Sequence, residues 1–361
     1  MNKVVISGFY GFHNIGDEAI LLTLTKKLKD INANVQITVL SNNPEETMQK
    51  FDVKAINRSD ALKVARVIMG CDVLLSGGGS LLQDVTSARS IHYYLSIIRM
   101  GLFFKKKVFL ISHGVGPLIR ASNKRRVKRV LNKVQCITVR DVKSYELLMS
   151  IGVKPEKAKV TTDPVMGLEC QPLDAGERII EKLNLKDPKR KKLAIAIRQK
   201  DFRDDAHRDL LVQMANRLAK RYNVIFVPFY YKNDTKIFQD IHDKTDEHVY
   251  FIIDKYNSLT FMSLIQNMDI LVGSRLHSLI FSLVAEVPFV GISYDPKIEN
   301  FLETIQMAPV CSIHDFRPDA IEAEISRYEQ NYDMVKAQII HSKADLIELL
   351  KVNDEILETL I

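Results

Sequence analysis

The 361-residue chain carries 46% hydrophobic and 26% charged residues. That is enough apolar material for two ordinary domains with separate cores, and the balance predicts a soluble globular protein. Cys71, Cys136, Cys170 and Cys311 are scattered and lack C-x-x-C spacing, which argues against a disulfide or zinc framework and for reduced thiols, with no metal expected. The opening MNKVVISGFYG runs directly into a strand pattern without the charged and apolar regions of a secretory signal, so a cytoplasmic location is expected.

Short β-branched runs alternate with amphipathic helical stretches through the first half: VVISG at 4–8, VQITVL at 35–40, DVLLSGG at 72–78, VFLISHG at 108–114, QCITVR at 135–140 and AKVTTD at 158–163. This alternation predicts a parallel sheet with helices on both faces. A polar stretch at 170–192 breaks the rhythm and sets a boundary at 168–175. The pattern restarts with LAIAIRQ at 193–199, NVIFVPF at 223–229, VYFII at 249–253, DILVGS at 269–274 and PFVGIS at 288–293, and closes with glycine-free helical sequence from Pro318. The prediction is an α/β chain of two doubly wound, Rossmann-like domains, residues 1–170 and 171–361, facing across a cleft. Ligands are expected at the carboxyl ends of the strands.

The net charge of +7 is unevenly spread. No acidic residue lies between Asp84 and Asp141, whereas thirteen lysines and arginines do, from Arg89 and Arg99 through Lys105, Lys106 and Lys107 to Lys133 and Arg140. The segment YYLSIIRMGLFFKKK, 93–107, is too short and too interrupted to span a bilayer; an anionic membrane surface and a merely solvated basic face are both compatible with it. Stacking or groove-reading signatures for nucleic acid are lacking, so no nucleic-acid partner is expected.

Four strand ends carry unusual residues. GFYGFHNIGDEAIL, 8–21, is a glycine-rich strand-to-helix turn that brings Asn14, Asp17 and Glu18 together; its spacing is neither G-x-G-x-x-G nor a P-loop, and SNNP at 41–44 offers no acid for a ribose. SGGGSLLQD, 76–84, places Gly77, Gly78 and Gly79 where a backbone can approach a ligand closely. ISHGVGP, 111–117, adds His113. Together these are expected to line the first domain's side of the cleft with open polar groups suited to a sugar and its attached phosphates, while a tight turn alone also accounts for the first. On the other side, IAIRQKD, 195–201, supplies Arg198, and GSRLH, 273–277, supplies Arg275, Leu276 and His277 at a strand-to-helix junction. There the free N–H groups and the helix dipole favour an anion. Two guanidiniums can grip a small anion at both ends. Lys200 and Arg203 read equally well as exposed charges.

SRLHSLIFS and GISYDPK, with GFYGFHNIGDEAIL, GGGSLLQD, SHGVGP and the Arg-Asp of ITVRD at 137–141, resemble the polysaccharide pyruvyl transferase family from Val4 to about Lys297. The resemblance is to the bacterial members that pyruvylate a cell-wall polymer anchoring surface-layer proteins. It implies a glycosyltransferase-B-like fold and phosphoenolpyruvate as co-substrate without a further cofactor. The implied acceptor is N-acetylmannosamine of a lipid-diphosphate-linked glycan at the inner membrane face. It also implies donor binding by Arg198, Arg275 and Leu276, acid catalysis by His277, and His113 toward the acceptor. The general base is open among Asp17, Glu18, His113 and Asp163, and the oligomeric state is open as well. A nucleotide-sugar glycosyltransferase and a non-catalytic lipid-glycan-binding protein are the rival expectations.

Overall fold

The computed structural model describes residues 2–85 and 90–360; Arg89, one of the cations singled out above, lies outside the described residues. The first half runs β1 (Lys3–Tyr10), α1 (Ile15–Ile31), β2 (Gln36–Ser41), α2 (Pro44–Phe51), β3 (Lys54–Asn57), α3 (Ala61–Gly70), β4 (Val73–Ser76), β5 (Gly79–Leu82), α4 (Ser90–Phe103), β6 (Lys107–Val115), α5 (Ala121–Leu131), β7 (Cys136–Val139), α6 (Val142–Ser150) and β8 (Ala158–Val160). Its strands pair in parallel in the order β3-β2-β1-β4-β6-β7-β8, with β5 alongside β6. Residues 4–8 of β1 and all of β4 are buried, the continuous apolar run expected of strands covered on both faces. Helix α1 starts where Asn14 turns the chain and its side-chain oxygen accepts a hydrogen bond from Gly16 N at 3.1 Å.

The second half runs α7 (Asp174–Lys182), β9 (Lys192–Ala196), α8 (Asp205–Ala219), β10 (Asn223–Phe226), α9 (Tyr231–Ile241), β11 (Val249–Phe251), α10 (Ser258–Gln266), β12 (Ile270–Gly273), α11 (Leu276–Val284), β13 (Phe289–Ser293), α12 (Pro296–Thr304), β14 (Cys311–Ser312), α13 (Pro318–Gln330) and α14 (Tyr332–Glu358). These strands form a second parallel sheet, β11-β10-β9-β12-β13-β14. Each sheet reverses its order beside its first strand, between β1 and β4 and between β9 and β12. That reversal opens a crevice at the carboxyl ends of those strands.

The chain divides into two compact units: one reaches to Gly167 and resumes at Leu346, and the other is Leu168–Asp345. The sequence reading puts everything after residue 170 into the second domain. In the structure the last turns of α14 belong to the first unit, where Asn353 and its neighbours are engaged. Asn353 is buried, donates from Nδ2 to Ser112 Oγ at 2.7 Å and accepts at Oδ1 from Thr138 Oγ1 at 2.7 Å. Nearby, Lys27 Nζ pairs with Asp354 at 2.8 Å and Thr161 Oγ1 donates to the Leu349 carbonyl at 3.1 Å. Hydropathy does not reveal such a partner choice.

Candidate active site

In the second unit the chain leaves β9 and β12 at the reversal of the sheet, and their carboxyl ends deliver Arg198 and Arg275. The Arg198 guanidinium lies over the ring of Tyr294, 3.5 Å from its centre, and its Nη1 is 3.8 Å from Asp201 Oδ1. Lys297 Nζ sits 4.9 Å from the centre of the same ring. Stacking on a tyrosine face fixes a planar guanidinium while leaving its edge for an acceptor.

Arg275 is held differently. Its Nη2 is ion-paired with Asp234 Oδ1, and Asp234 is fully buried with Oδ2 accepting from Tyr230 N at 2.8 Å. The Tyr230 ring lies 5.7 Å from the guanidinium carbon. Arg275 Nε is buried and has no hydrogen-bond partner among the described residues. A buried donor without an acceptor is costly, so this N–H is available to a ligand oxygen. Arg275 also occupies the N-cap of α11 without a side-chain cap of its own, while Leu276 is buried and His277 stands half-buried in the first turn.

Two carboxyls set the electrostatics. Burial raises the pKa of Asp201, with Arg198, Arg275 and the Ser274 hydroxyl pulling it back and Asp234 adding to the rise. Burial also raises that of Asp234, against the opposing pull of Arg275 and of the Tyr230 and Gln199 backbone N–H groups. Ser274 Oγ is 3.4 Å from Asp201 Oδ2, and both arginines act electrostatically on that carboxylate. Lys200 and Arg203 are exposed.

The acceptor-side candidates of the first unit lie at its own reversal, and most are engaged internally. Asn14 is the cap of α1. Asp17 is buried in the first turn of that helix. A Cβ on Gly77 would lie 2.0 Å from Tyr10 Oη, so the buried tyrosine explains that glycine; one on Gly78 would press on Pro164 and two carbonyls at 3.3–3.4 Å. Gly79 has φ +108 and lies beside Asp17, a left-handed backbone that favours glycine. His113 is fully buried with Nε2 3.2 Å from the Ser76 carbonyl, and burial, reinforced by Arg140, lowers its pKa to about 4. It is therefore a neutral core imidazole. Of the candidate bases, Glu18 pairs with Lys50 at 3.0 Å and Asp163 with the buried Arg140 at 2.9 Å.

The profile of the polysaccharide pyruvyl transferase family, described as "Polysaccharide pyruvyl transferase", matches residues 14–296. The chain belongs to this family. A curated relative, the amylovoran biosynthesis protein AmsJ of Erwinia amylovora, is 22% identical over 286 residues, 74% of this chain and 68% of AmsJ. Solved structures with the same fold include Anabaena HepE in complex with UDP-glucose, at TM-score 0.68 and 11% identity, covering 100% of this chain and 99% of HepE. Another is the UDP-GlcNAc 2-epimerase of Neisseria meningitidis bound to UDP-GlcNAc, at TM-score 0.61 and 13% identity, covering 97% and 99%. The fold is thus glycosyltransferase-B-like, and the family assigns the pyruvyl transferase a role in polysaccharide biosynthesis.

Sequence reading of this pyruvyl transferase singles out the two arginines and misses the residues that anchor them in the structure. Asp201 and Tyr294 fall inside quoted motifs, IRQKD and GISYDPK, where the cations drew the eye. Asp234 comes from α9, 41 residues before Arg275, and nothing local marks it.

Proposed function

We propose that the protein transfers the enolpyruvyl-derived group of phosphoenolpyruvate onto two hydroxyls of one sugar, forming a pyruvate ketal and releasing phosphate. The observation that carries this reading is Arg275: a guanidinium fixed by a buried carboxylate, with an unmet buried N–H, next to a helix start and acting with the stacked Arg198 on the same carboxylate, Asp201. Arg198 and Arg275 hold the donor's carboxylate and phosphate, with Leu276 packed beside them. His277 gives its proton to the methylene carbon of the enol. One sugar hydroxyl adds to the resulting electrophilic carbon, phosphate leaves, and the second hydroxyl closes the ring. Of the two hydroxyl protons, one ends on phosphate and the other restores the histidine. Fixed cationic donors stabilise the departing phosphate, and a positioned proton donor serves the first step.

The proposed acceptor is N-acetylmannosamine of a lipid-diphosphate-linked cell-wall glycan, pyruvylated in the cytoplasm at the inner membrane face. The motif resemblance to the surface-layer-anchoring members supports it. A second reading, a nucleotide-sugar glycosyltransferase, draws on the fold neighbours solved with UDP-glucose and UDP-GlcNAc. Phosphate release from phosphoenolpyruvate across a panel of lipid-linked glycans, run beside thermal stabilisation by phosphoenolpyruvate and by UDP-sugars, separates the two. Release of phosphate with a defined glycan supports the ketal-forming reaction; stabilisation by UDP-sugars alone rejects it.

A further inference from the structure

We propose that the outer face of α5 in the first unit is a docking surface for an anionic lipid bilayer. The apolar residues of 93–107 mostly point inward: Tyr94, Leu95, Ile97, Ile98 and Gly101 are all buried. The surface is built instead by the next helix. In α5 and just beyond it, Arg125, Lys128, Arg129 and Lys133 are exposed and recur at three- and four-residue spacing, so they form one stripe, while Val127, Val130 and Leu131 face the core. Among the described residues, no carboxylate lies within ion-pair distance of these four cations. Elsewhere on the surface pairing is common, as in Lys143–Glu146 and Arg178–Asp174.

At the head of the stripe stands Ile119, 70% exposed. Its position is fixed rather than incidental. The buried Asp84 accepts hydrogen bonds from Ile119 N at 2.8 Å, Arg120 N at 3.0 Å and Asn123 Nδ2 at 2.9 Å, which clamps the turn and presents the isoleucine outward. Val85, the residue after Asp84, is 57% exposed. An exposed isoleucine held just ahead of an unpaired cationic stripe, with a second exposed aliphatic residue following its clamp, is what a bilayer with acidic headgroups rewards: the cations draw toward the lipid phosphates and the aliphatic side chains enter the acyl boundary. A nucleic acid would use the cations but not the aliphatics, and α5 offers no aromatic platform for bases. Because this face lies outside the arginine cluster, the proposal stands or falls independently of the reaction.

The test is co-sedimentation of the full chain with vesicles of phosphatidylcholine alone and with about 30% phosphatidylglycerol, in low and raised salt. Binding only to the anionic vesicles, falling as salt rises, is expected. Arg125→Glu, Lys128→Glu and Arg129→Glu together should weaken it at least about 100-fold, the product of roughly a factor of five for each cation. Circular dichroism verifies the fold of the triple variant. The single exposed change Ile119→Ser should lower binding several-fold, mostly in the part that survives raised salt. Equal sedimentation with both vesicles, wild-type binding by the triple variant, or displacement from vesicles by a stoichiometric oligonucleotide would each overturn the proposal.

Discussion

The two units share one strand order around the reversal of the sheet and use it in opposite ways. In the first, the space beyond β1 and β4 is filled from within: Tyr10 packs against Gly77, the Arg140–Asp163 pair is buried, and His113 is a neutral core imidazole. In the second, the same place beyond β9 and β12 holds Arg198 on Tyr294 and Arg275 on Asp234, with half-buried charges and an unmet guanidinium N–H, whereas the buried atoms left unmet among the described residues of the first include the uncharged Tyr10 Oη and His113 Nδ1. A doubly wound sheet therefore supplies the location, and the identity of two or three residues after each strand decides whether neutral, internally packed groups or anchored cations occupy it.

Removing Arg275 should break the contrast most. Arg275→Ala is expected to weaken phosphoenolpyruvate binding by about 2–5 kcal/mol, because it withdraws a hydrogen-bonded charge from a desolvated anion. It also strands the fully buried Asp234, so thermal stability falls with it. Asp234→Asn keeps the guanidinium and removes only its anchor; by titration calorimetry its loss should be smaller, about tenfold. Lysine at 275 restores little, since an ammonium cannot reproduce the fork held between Asp234 and the ligand. Donor affinity within twofold of wild type in both Arg275→Ala and Arg198→Ala would remove the arginines from the site.

His277→Gln comes next, with turnover down roughly 100-fold and phosphoenolpyruvate affinity nearly kept. Solvent-deuterium incorporation into the product methyl group follows the proton that His277 is proposed to deliver. Turnover near wild type with an unchanged pH profile would make this histidine a binding or structural residue. His113 could not replace it readily, because burial keeps that imidazole from holding a proton.

Much of this was legible in the chain itself. Val4, Val5 and Ile6 or Leu271 and Val272 announce buried parallel strands, and Arg198, Arg275 and His277 announce themselves by following such strands. The strands that escape are β3, half-exposed and four residues long, β5, which begins on the last of three glycines read as a strand end, and β14, two residues long. Periodicity needs a longer, two-sided record than these provide. Asp234 and Asn353 escape for another reason: each is a polar residue on a helix whose partner is distant in sequence, and burial alone makes it important. Gly77 shows the converse, a glycine that looks like a ligand's and is required by Tyr10.

The neutral His113 gives the first unit a pH dependence of its own. Its folded pKa of about 4 lies below the 6.5 of an unconstrained imidazole, so the unfolded state binds more protons between those values and stability rises with pH. The contribution is complete above the upper value and is lost as pH falls toward the lower one. Urea unfolding should show about 2 kcal/mol lost between about pH 7 and pH 5. His113→Gln, uncharged throughout, should flatten that dependence; an equally steep slope in the variant assigns it to other groups.

The smallest expected effect is the one that decides whether Asn14 belongs to the first unit's scaffold or to its ligand. As the cap of α1 it accepts from Gly16 N, and Asn14→Ala should cost about 1 kcal/mol, with a fall in melting temperature of about 2–4 °C. Aspartate or serine at this position can accept the same hydrogen bond, so both should restore the melting temperature. An amide that contacts sugar hydroxyls behaves otherwise: neither replacement donates as an amide does, and the Michaelis constant for the glycan would stay high in both while the melting temperature recovered. Recovery of stability and glycan Michaelis constant together in Asn14→Ser and Asn14→Asp confines Asn14 to capping. Recovery of stability alone moves this residue into the acceptor site and narrows the contrast between the two sheet reversals.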